Sequence, residues 1–322
     1  MQNISSQKIQ NKSVRSTTYR SLIESIGNTP LVQIDFQTPA TMLAKLEFFN
    51  PGESVKARSA NYMIEEAERK GFLKPGGTII DASSGNQGAA VAMIGAIKGY
   101  SVIITVSEKI SKEKLAVLKA FGAQVVVCPT TDRIDDPNGY HSMALEIQRN
   151  TPNSFMPNQY FNLSNSKAHE LFLGPEIWEQ TNGEITHFFA AAGTGGTVSG
   201  VGKFLKKMNK NIKVIAMDSI NSWRTTKGSP KPYKIEGMGV DFESPVLDYS
   251  VIDEIIPVTD DDALAMIRLL ARKYGILAGP TSGAVAHAAR EYARQHLSSS
   301  DLAVMIFGDS GRAYLTKNFY TE

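Results

Sequence analysis

The sequence predicts an α/β protein with two three-layer α/β/α domains, each built on a mostly parallel sheet. Apolar runs of strand length alternate with segments of helical period from about residue 45 onward, and this alternation is typical of α/β units. Glycines end several helical segments, as Gly99 and Gly122 do. About ten such units exceed the number that one sheet comfortably holds, so two sheets are expected.

The predicted elements follow one another along the chain. Strands are predicted at residues 78–80, 102–106, 125–128, 188–191, 214–218 and 303–307, and helices at residues 56–70, 89–98, 112–121, 198–208, 260–273 and 283–296. A stretch rich in Pro, Asn and Thr, residues 135–165, marks the passage between the two halves. We predict a flexible tail over residues 1–20, a large domain from residues 21–44 and 161–322, and a smaller mobile domain from residues 45–160.

The composition excludes several classes of protein. The 322 residues are 42% apolar and 20% charged, as in ordinary globular proteins. A formal net charge of +2 gives no reason to expect nucleic acid or a membrane surface as a partner, and no apolar run approaches the length of a bilayer span. The single cysteine, Cys128, rules out an internal disulfide and a Cys-rich metal site. No metal is predicted, and Cys128 is expected to pack inside a buried strand.

The N-terminal segment gives an expectation about location. The first 20 residues are rich in Ser, Gln, Lys and Arg, and they contain no acid. They lack the apolar centre of a secretory signal, and a disordered tail is favoured over a targeting presequence. We therefore expect the protein in the cytoplasm.

Four glycine-rich segments lie where a predicted strand or turn leads into a helix, which is where parallel α/β sheets bind ligands. In the first segment, residues 50–58, Ser54 can cap the helix and Lys56 falls in its first turn. The helix dipole disfavours a cation there and lowers the pKa of the lysine. A neutral amine can form a Schiff base. The alternative is an exposed lysine whose ammonium group reaches water.

The second segment, residues 81–88, offers hydroxyls, amides and free backbone N–H groups at one helix N-terminus. Its candidate binding residues are Ser83, Ser84, Gly85, Asn86 and Gln87. Such a nest suits a carboxylate. The alternative is a structural turn in which Ser and Asn only cap the helix.

The third segment has the composition of a phosphate cradle, because glycines leave the backbone bare and threonines add hydroxyl donors. It consists of Gly193, Thr194, Gly195, Gly196 and Thr197. No Gly-Lys-Ser/Thr follows, which excludes a Walker loop, and the absence of dinucleotide spacing disfavours a Rossmann dehydrogenase. The alternative is a tight turn.

The fourth segment, residues 279–283, opens a helix and carries Thr281 and Ser282. Their hydroxyls can face a ring nitrogen or an anion, and the alternative is helix capping. A lysine, an anion nest, a phosphate cradle and these hydroxyls on one α/β chain together describe a site for pyridoxal phosphate (PLP).

These segments resemble the β-family, or fold type II, of PLP enzymes, which includes cysteine synthase (O-acetylserine sulfhydrylase) and cystathionine β-synthase. The resemblance covers residues 22–320, nearly the whole chain. Its motifs occur in the family's order at residues 26–31, 50–56, 83–88, 158–160, 193–197 and 279–283. It implies the tryptophan synthase β-like fold, with the large domain holding the PLP phosphate and the smaller domain holding the substrate carboxylate.

The resemblance also implies a role for each matching residue. Lys56 would form the Schiff base with PLP and move the α-proton of the substrate. PLP would be bound by Asn86 at the 3′-oxygen, by Gly193, Thr194, Gly195, Gly196 and Thr197 at the phosphate, and by Thr281 or its alternative Ser282 at the pyridine nitrogen. Substrate would be bound by Ser83, Ser84, Gly85, Gln87, Gln159, Glu236 and Gly237. A neutral hydroxyl at the ring nitrogen favours β-elimination through an aminoacrylate over transamination.

Three positions depart from the family pattern. Glu53, Ala57 and Gln87 stand where the family usually has Gly, Asp and Thr. Glu53 would add negative charge and bulk near the cofactor. Gln87 would lengthen an amide into the carboxylate nest and change the fit of the substrate.

The segment after the phosphate loop indicates which member of the family the chain resembles. Residues 233–242 and 246–248, and Asp309 with Ser310, resemble cystathionine β-synthase more than cysteine synthase, which usually has Gln at the position of Glu236. A carboxylate there could engage the amino group of homocysteine, which sulfide lacks; the alternative is that it caps a loop. The resemblance thus implies β-replacement on serine or O-activated serine with a thiol acceptor. It also implies a homodimer that acts on small amino acids in transsulfuration or cysteine biosynthesis.

Three other functions stay open at this point. They are O-acetylserine sulfhydrylase activity, a serine or threonine deaminase type of elimination, and PLP binding without turnover. Regulation through a C-terminal module or a thiolate-bound haem is not expected, because the sequence ends at Glu322 and its N-terminal tail has no Cys.

Overall fold

The computed structural model describes residues 18–131 and 134–321, which form two sheets. The larger sheet contains β1 (Leu31–Gln33), β2 (Thr41–Leu46), β7 (His187–Ala191), β8 (Lys213–Ser219), β9 (Glu254–Val258) and β10 (Leu302–Phe307). Its order is β1-β2-β10-β7-β8-β9, and only the β1–β2 pair is antiparallel. The smaller sheet contains β3 (Thr78–Ala82), β4 (Ser101–Ser107), β5 (Gln124–Cys128) and β6 (Ser154–Phe155). It is entirely parallel, in the order β5-β4-β3-β6.

Helices cover both faces of each sheet. They are α1 (Lys56–Arg69), α2 (Asn86–Lys98), α3 (Lys112–Ala120), α4 (Tyr140–Asn150), α5 (Ser164–Ala168), α6 (Gly174–Gln180), α7 (Gly196–Met208), α8 (Asp260–Tyr274) and α9 (Pro280–His296). One face of the larger sheet packs against α8 and α9, and the other packs against α6 and α7. The smaller sheet lies between α1 and α2 on one side and α4 on the other. The predicted fold class of two three-layer α/β/α units is confirmed.

Local sequence accounts for where the helices begin and end. The Ser111 hydroxyl accepts a hydrogen bond from the Lys114 N–H at the start of α3, and Thr259 does the same for the N–H of Asp262 at the start of α8. Helix α8 ends at Gly275, whose φ of 68° lies in the left-handed region that favours glycine. Caps of this kind explain why the predicted helix bounds lie close to those of the structure.

A buried cluster of four charged side chains joins α1 to the larger sheet. The Arg58 guanidinium bonds Glu47 (Nε–Oε2, 2.7 Å) and Glu176 (Nη1–Oε2, 2.8 Å). The Lys45 ammonium pairs with Glu176 and donates to the backbone oxygen of Thr29 at 2.6 Å. Two cations and two carboxylates balance in charge, as buried ion pairs require. The cluster therefore holds helix α1 against the larger sheet. Lys56 is the first residue of that helix.

The structure differs from the sequence predictions in two places. Strand β5 was predicted to be buried, but it lies at the sheet edge, where the Val127 side chain is 55% exposed. Cys128 alone is packed inside, with 2% of its surface exposed. The passage predicted over residues 135–165 contains helix α4 and strand β6, because apolar residues such as Ala144 are buried against β3.

Two further predictions concern domain limits and composition. Strand β2 extends the larger sheet to Leu46, and the domain limits at residues 44 and 160 remain a prediction. The flexible tail predicted over residues 1–20 lies almost wholly outside the described residues. In the described part of the chain, no helix is both long and apolar enough to cross a membrane. Within the same residues, no group of three or more His, Cys, Asp or Glu side chains could hold a metal ion.

Candidate functional site

The four glycine-rich segments meet in one cleft at the carboxyl ends of the parallel strands. The inner cavity is lined by Lys56, Asn86, Gly193, Thr194, Gly195, Gly196, Thr197, Glu236, Gly237, Thr281 and Asp309, among others. The adjoining outer part is lined by Ser83, Ser84, Gly85, Gln87, Gln159, Lys114 and Tyr314, among others. Every predicted site residue except Ser282 therefore lies at this cleft.

Lys56 is the first residue of α1 and is half-buried at the inner cavity. The Ser54 hydroxyl accepts its backbone N–H at 3.3 Å, and the Val55 N–H donates to the Gly308 carbonyl at 2.8 Å. The ammonium group has no hydrogen bond or ion pair within the described residues. Burial lowers the pKa of Lys56 from 10.5 to about 8, against the opposing charge of Asp309. Lys56 is therefore suited to form and release a Schiff base.

The helix dipole was the predicted cause of the lowered pKa of Lys56. In the structure, burial of the side chain is the main cause. The two effects act in the same direction, since both disfavour the charged amine. The alternative of an exposed lysine does not describe this position well, because Lys56 is half-buried and lines the inner cavity.

The phosphate cradle begins helix α7 and leaves no space for side chains. A Cβ atom on Gly193 would lie 2.5 Å from the Gly237 carbonyl, and one on Gly196 would lie 2.2 Å from the Asn165 amide oxygen. Gly195 has φ of 90°, and no acidic residue lies in the first turn of α7. The loop thus presents bare N–H groups at the positive end of a helix, which is the chemistry that a phosphate requires.

The carboxylate nest begins helix α2. The Ser83 hydroxyl accepts the Gly85 N–H at 3.3 Å, and the Ser84 hydroxyl accepts the Ser107 N–H at 3.1 Å. Both polar atoms of the Gln87 amide are buried without a partner in the described part of the chain. A buried amide left in this way costs about 1–3 kcal/mol. An arriving ligand with its own donors and acceptors would recover that free energy.

The structure separates the two hydroxyls at the start of α9. Thr281 lines the inner cavity, whereas Ser282 is fully buried, lies outside the lining and has no partner for its hydroxyl among the described residues. Consecutive helical residues point about 100° apart, so only one of the two can face the cavity. Ser282 is therefore wrong as an alternative contact for the pyridine nitrogen.

Glu236 lines the cleft and forms ion pairs with Lys114 and Lys317. Burial raises the pKa of Glu236, but the two ammonium groups outweigh it and hold the pKa below its ordinary value. The Lys114 ammonium also lies 4.8 Å from the centre of the Tyr314 ring. Glu236 is thus an ion-paired residue of the cleft wall, and the alternative of a loop cap does not describe these contacts.

The sequence analysis did not predict Lys114, Asn165 or Tyr314 at the site, and it named Asp309 only as a mark of the family resemblance. Asp309 lies two residues after the buried strand β10, and that position could have identified it, since the neighbouring strand β7 leads into the phosphate cradle. The Asn165 amide donates to the Gln159 carbonyl at 2.8 Å and to the Thr194 hydroxyl at 3.0 Å. It therefore ties the phosphate cradle to the segment that carries Gln159.

The departures at residues 53 and 57 do not enter the cleft. Glu53 has φ of 56°, its side chain is 53% exposed, and it lies 3.8 Å from the Arg312 guanidinium. Ala57 is fully buried in the core between α1 and the smaller sheet. Neither residue lines the cavity, so neither adds charge or bulk around a bound cofactor.

Comparisons with known proteins agree with this geometry. The family model described as pyridoxal-phosphate dependent enzyme matches residues 22–309. The chain is 41% identical to a cystathionine β-synthase of Apis mellifera over 92% of this chain and 60% of that protein. It is 40% identical to a probable cysteine synthase of Bacillus subtilis (strain 168) over 92% of this chain and 96% of that protein. The chain thus spans less than two thirds of the first relative and almost all of the second.

A solved structure gives the same result. The O-acetylserine dependent cystathionine β-synthase from Helicobacter pylori superposes with a TM-score of 0.88 at 34% identity, over 94% of this chain and 99% of that chain. The glycine cradle, the amine of lowered pKa and the unpartnered Gln87 amide fit PLP and an amino-acid substrate. The chain therefore belongs to the family of pyridoxal-phosphate dependent enzymes.

Proposed function

We propose that the protein catalyses β-replacement on serine or an O-activated serine, with the thiol of an amino acid such as homocysteine as the acceptor. The ion-paired carboxylate of Glu236 in the cleft wall supports this proposal over one that uses sulfide. The relatives named as cystathionine β-synthases are consistent with it.

Each group of residues in the cleft has a separate role in such a reaction. The N-terminus of α7 would hold the phosphate of PLP, and the Thr281 hydroxyl would hold its ring nitrogen. The nest at Ser83 and Ser84, together with Gln87, binds the carboxylate of the donor amino acid. Lys56 would hold PLP, and its amine would take the α-proton of the donor amino acid. When bound, PLP supplies the electron sink that allows bonds at the α- and β-carbons to break.

The charges around Glu236 complement a free amino acid. Lys114 and Lys317 present two ammonium groups, and Glu236 presents one carboxylate between them. The α-carboxylate of an acceptor can pair with a lysine while its α-ammonium pairs with Glu236. Sulfide carries neither an α-ammonium nor an α-carboxylate group, so it cannot form this pair of contacts.

A kinetic comparison tests the choice of acceptor. In the Glu236→Gln variant we expect KM for homocysteine to rise roughly tenfold, as for the loss of a charge-assisted hydrogen bond. The turnover of sulfide with the same donor should stay within about twofold. Glu68→Gln is the matched control, because Glu68 also pairs with a lysine, Lys98, away from the cleft. Equal losses for homocysteine and sulfide would refute the proposed role of Glu236.

A cysteine synthase is the second candidate. The match to almost the whole length of the Bacillus subtilis probable cysteine synthase favours it. Serine and O-acetylserine should each be supplied with sulfide or with homocysteine, and the product identified by mass spectrometry. Steady ammonia release without a thiol would indicate elimination, and absence of product from every pair would indicate PLP binding without turnover.

We further propose a homodimer in the cytoplasm that serves transsulfuration or cysteine biosynthesis. Exposed apolar side chains at Leu163, Leu171 and Phe172 support an interface between two copies. The single cysteine, Cys128, is consistent with a reducing compartment. Light scattering at micromolar concentration would show a mass near 70 kDa for two chains of 35.1 kDa.

A further inference from the structure

Asp309 is a buried acid in the wall of the inner cavity. It lies two residues after the end of β10, and only 4% of its surface is exposed. Its backbone oxygen accepts the Gly279 N–H at 2.9 Å, and it pairs as an isolated bridge with Ser54. The acid is therefore fixed between the start of α9 and the segment that leads to Lys56.

The two carboxylate oxygens of Asp309 have different surroundings. Oδ2 accepts the Asn86 amide N–H at 2.8 Å and the Tyr314 hydroxyl at 2.6 Å. Oδ1 is buried without a partner in the described part of the chain. A Cβ atom at Gly279 would lie 2.0 Å from Oδ1, which explains the glycine there. The carboxylate is therefore held on one side by its two donors and lies close to the Gly279 backbone on the other.

The charge of Asp309 acts on Lys56 across the cavity. Burial lowers the pKa of Lys56, and Asp309 is the acid that opposes this effect. Burial also raises the pKa of Asp309, against the hydrogen bonds from Tyr314 and Asn86 and the positive charge of Lys114. The charge of Glu236 raises this pKa further. Among the described residues, Asp309 is the one acid whose charge raises the pKa of Lys56.

The side-chain amide of Asn86 has two N–H groups, and it donates one of them to the Asp309 carboxylate. Asn86 itself lines the cavity, so its second N–H is free for a ligand. Hydrogen bonding to a buried carboxylate fixes the rotation of the amide and polarises its remaining N–H. A helix residue that is otherwise free to rotate about its side-chain bonds thereby gains one orientation.

We propose that Asp309 is a positioning residue, which turns the Asn86 amide toward the 3′-oxygen of PLP and places an anion beside Lys56. The inference rests on the proposed contact between Asn86 and the cofactor. Asp309 itself does not touch the reacting atoms; it acts through Asn86 and through its charge.

The experiment measures the dissociation constant of PLP and the pH dependence of its visible absorption band. Asp309→Ser is too short to reach Asn86, and we expect roughly ten- to hundredfold weaker PLP binding. Asp309→Asn keeps an acceptor but loses the charge. Its affinity for PLP should fall less than about tenfold, whereas the pH at which the visible band is half titrated should shift. Asp301→Asn, at the opposite end of β10, is the matched control and should change neither quantity.

A double-mutant cycle separates this inference from its premise. If Asp309 acts through Asn86, Asn86→Ala and the Asn86→Ala/Asp309→Ser pair should bind PLP within about threefold of each other. Additive losses would overturn the positioning role and leave the cofactor contact of Asn86 standing. Wild-type PLP affinity in Asn86→Ala would overturn that contact, and the inference with it. Tyr314→Phe, which removes the other donor to the same oxygen, should weaken PLP binding less than Asp309→Ser; an equal loss would also overturn the positioning role.

Discussion

Replacing Arg58 by methionine tests whether the buried charge cluster holds helix α1 in place. Methionine matches the length of the aliphatic part of the side chain and removes the cation. The Glu47 carboxylate then loses its bonds to Nε and Nη2, at 2.7 and 2.9 Å. Lys45 remains as the single cation for two carboxylates, Glu47 and Glu176.

The size of the effect follows from the burial of the cluster. Arg58 is 4% exposed and Glu47 fully buried, and breaking a buried pair costs about 3–5 kcal/mol, because one charge is left uncompensated. Adding Glu47→Gln restores the balance between Lys45 and Glu176 and keeps one acceptor oxygen, for either Thr29 or Asn50, which bond different oxygens of Glu47. We expect the double variant to regain at least half of the lost free energy of unfolding.

Urea unfolding with PLP in excess gives these free energies for each variant. Arg69→Met, on the same helix, is the matched control, since its ion pair with Glu66 involves a side chain that is 67% exposed. The control should cost less than about 1 kcal/mol. A cost below about 1 kcal/mol for Arg58→Met, or a double variant as unstable as the single one, would refute the reasoning.

The remaining predictions concern pH, backbone strain and the cofactor. Burial raises the pKa of Glu176, but Arg58 and Lys45 lower it from 4.5 to about 2; its stabilising contribution is therefore complete above pH 4.5 and lost as the pH falls toward 2, which urea midpoints across that range will show. Glu53→Gly relieves a left-handed residue (φ of 56°) and should raise the free energy of unfolding by about 0.5–1 kcal/mol, whereas Glu53→Ala should leave it unchanged. Lys56→Ala should abolish the visible band of the bound cofactor, and a retained band would exclude Lys56 as its anchor. Gly193→Ala places a Cβ atom 2.5 Å from the Gly237 carbonyl and should prevent PLP binding in an equilibrium titration.

Local periodicity was enough to predict most of the fold. The strand predicted at residues 214–218 is Lys213–Ser219, and the helix predicted at residues 260–273 is Asp260–Tyr274. Caps and apolar spacing are properties of short segments, so the sequence contains them. The position of a strand at the edge of a sheet cannot be predicted in this way. The valine run of β5 is also typical of an inner strand, and only the strands beside it in the sheet decide its position.

The candidate site was predictable where its chemistry lies within one loop. The glycine cradle and the serine nest were found because each is a run of adjacent residues. The partners of Glu236 could not be found in this way, since Lys114 and Lys317 are 122 and 81 residues away. Asn86 and Asp309 are 223 residues apart, and no pattern along the chain connects them.

The place of β10 in the larger sheet bears on how the enzyme is made. This strand lies between β2 and β7, yet it comes after both of them in the order in which the ribosome produces the described strands. Until Phe307 has been synthesised, β2 and β7 have no common neighbour, and the cavity wall at Asp309 does not exist. Domains generally fold from the N-terminus as synthesis proceeds, so the smaller sheet, which ends at Phe155, can form early. Capture of the cofactor must then come later than this, after Asp309 has been synthesised and β10 has joined β2 and β7.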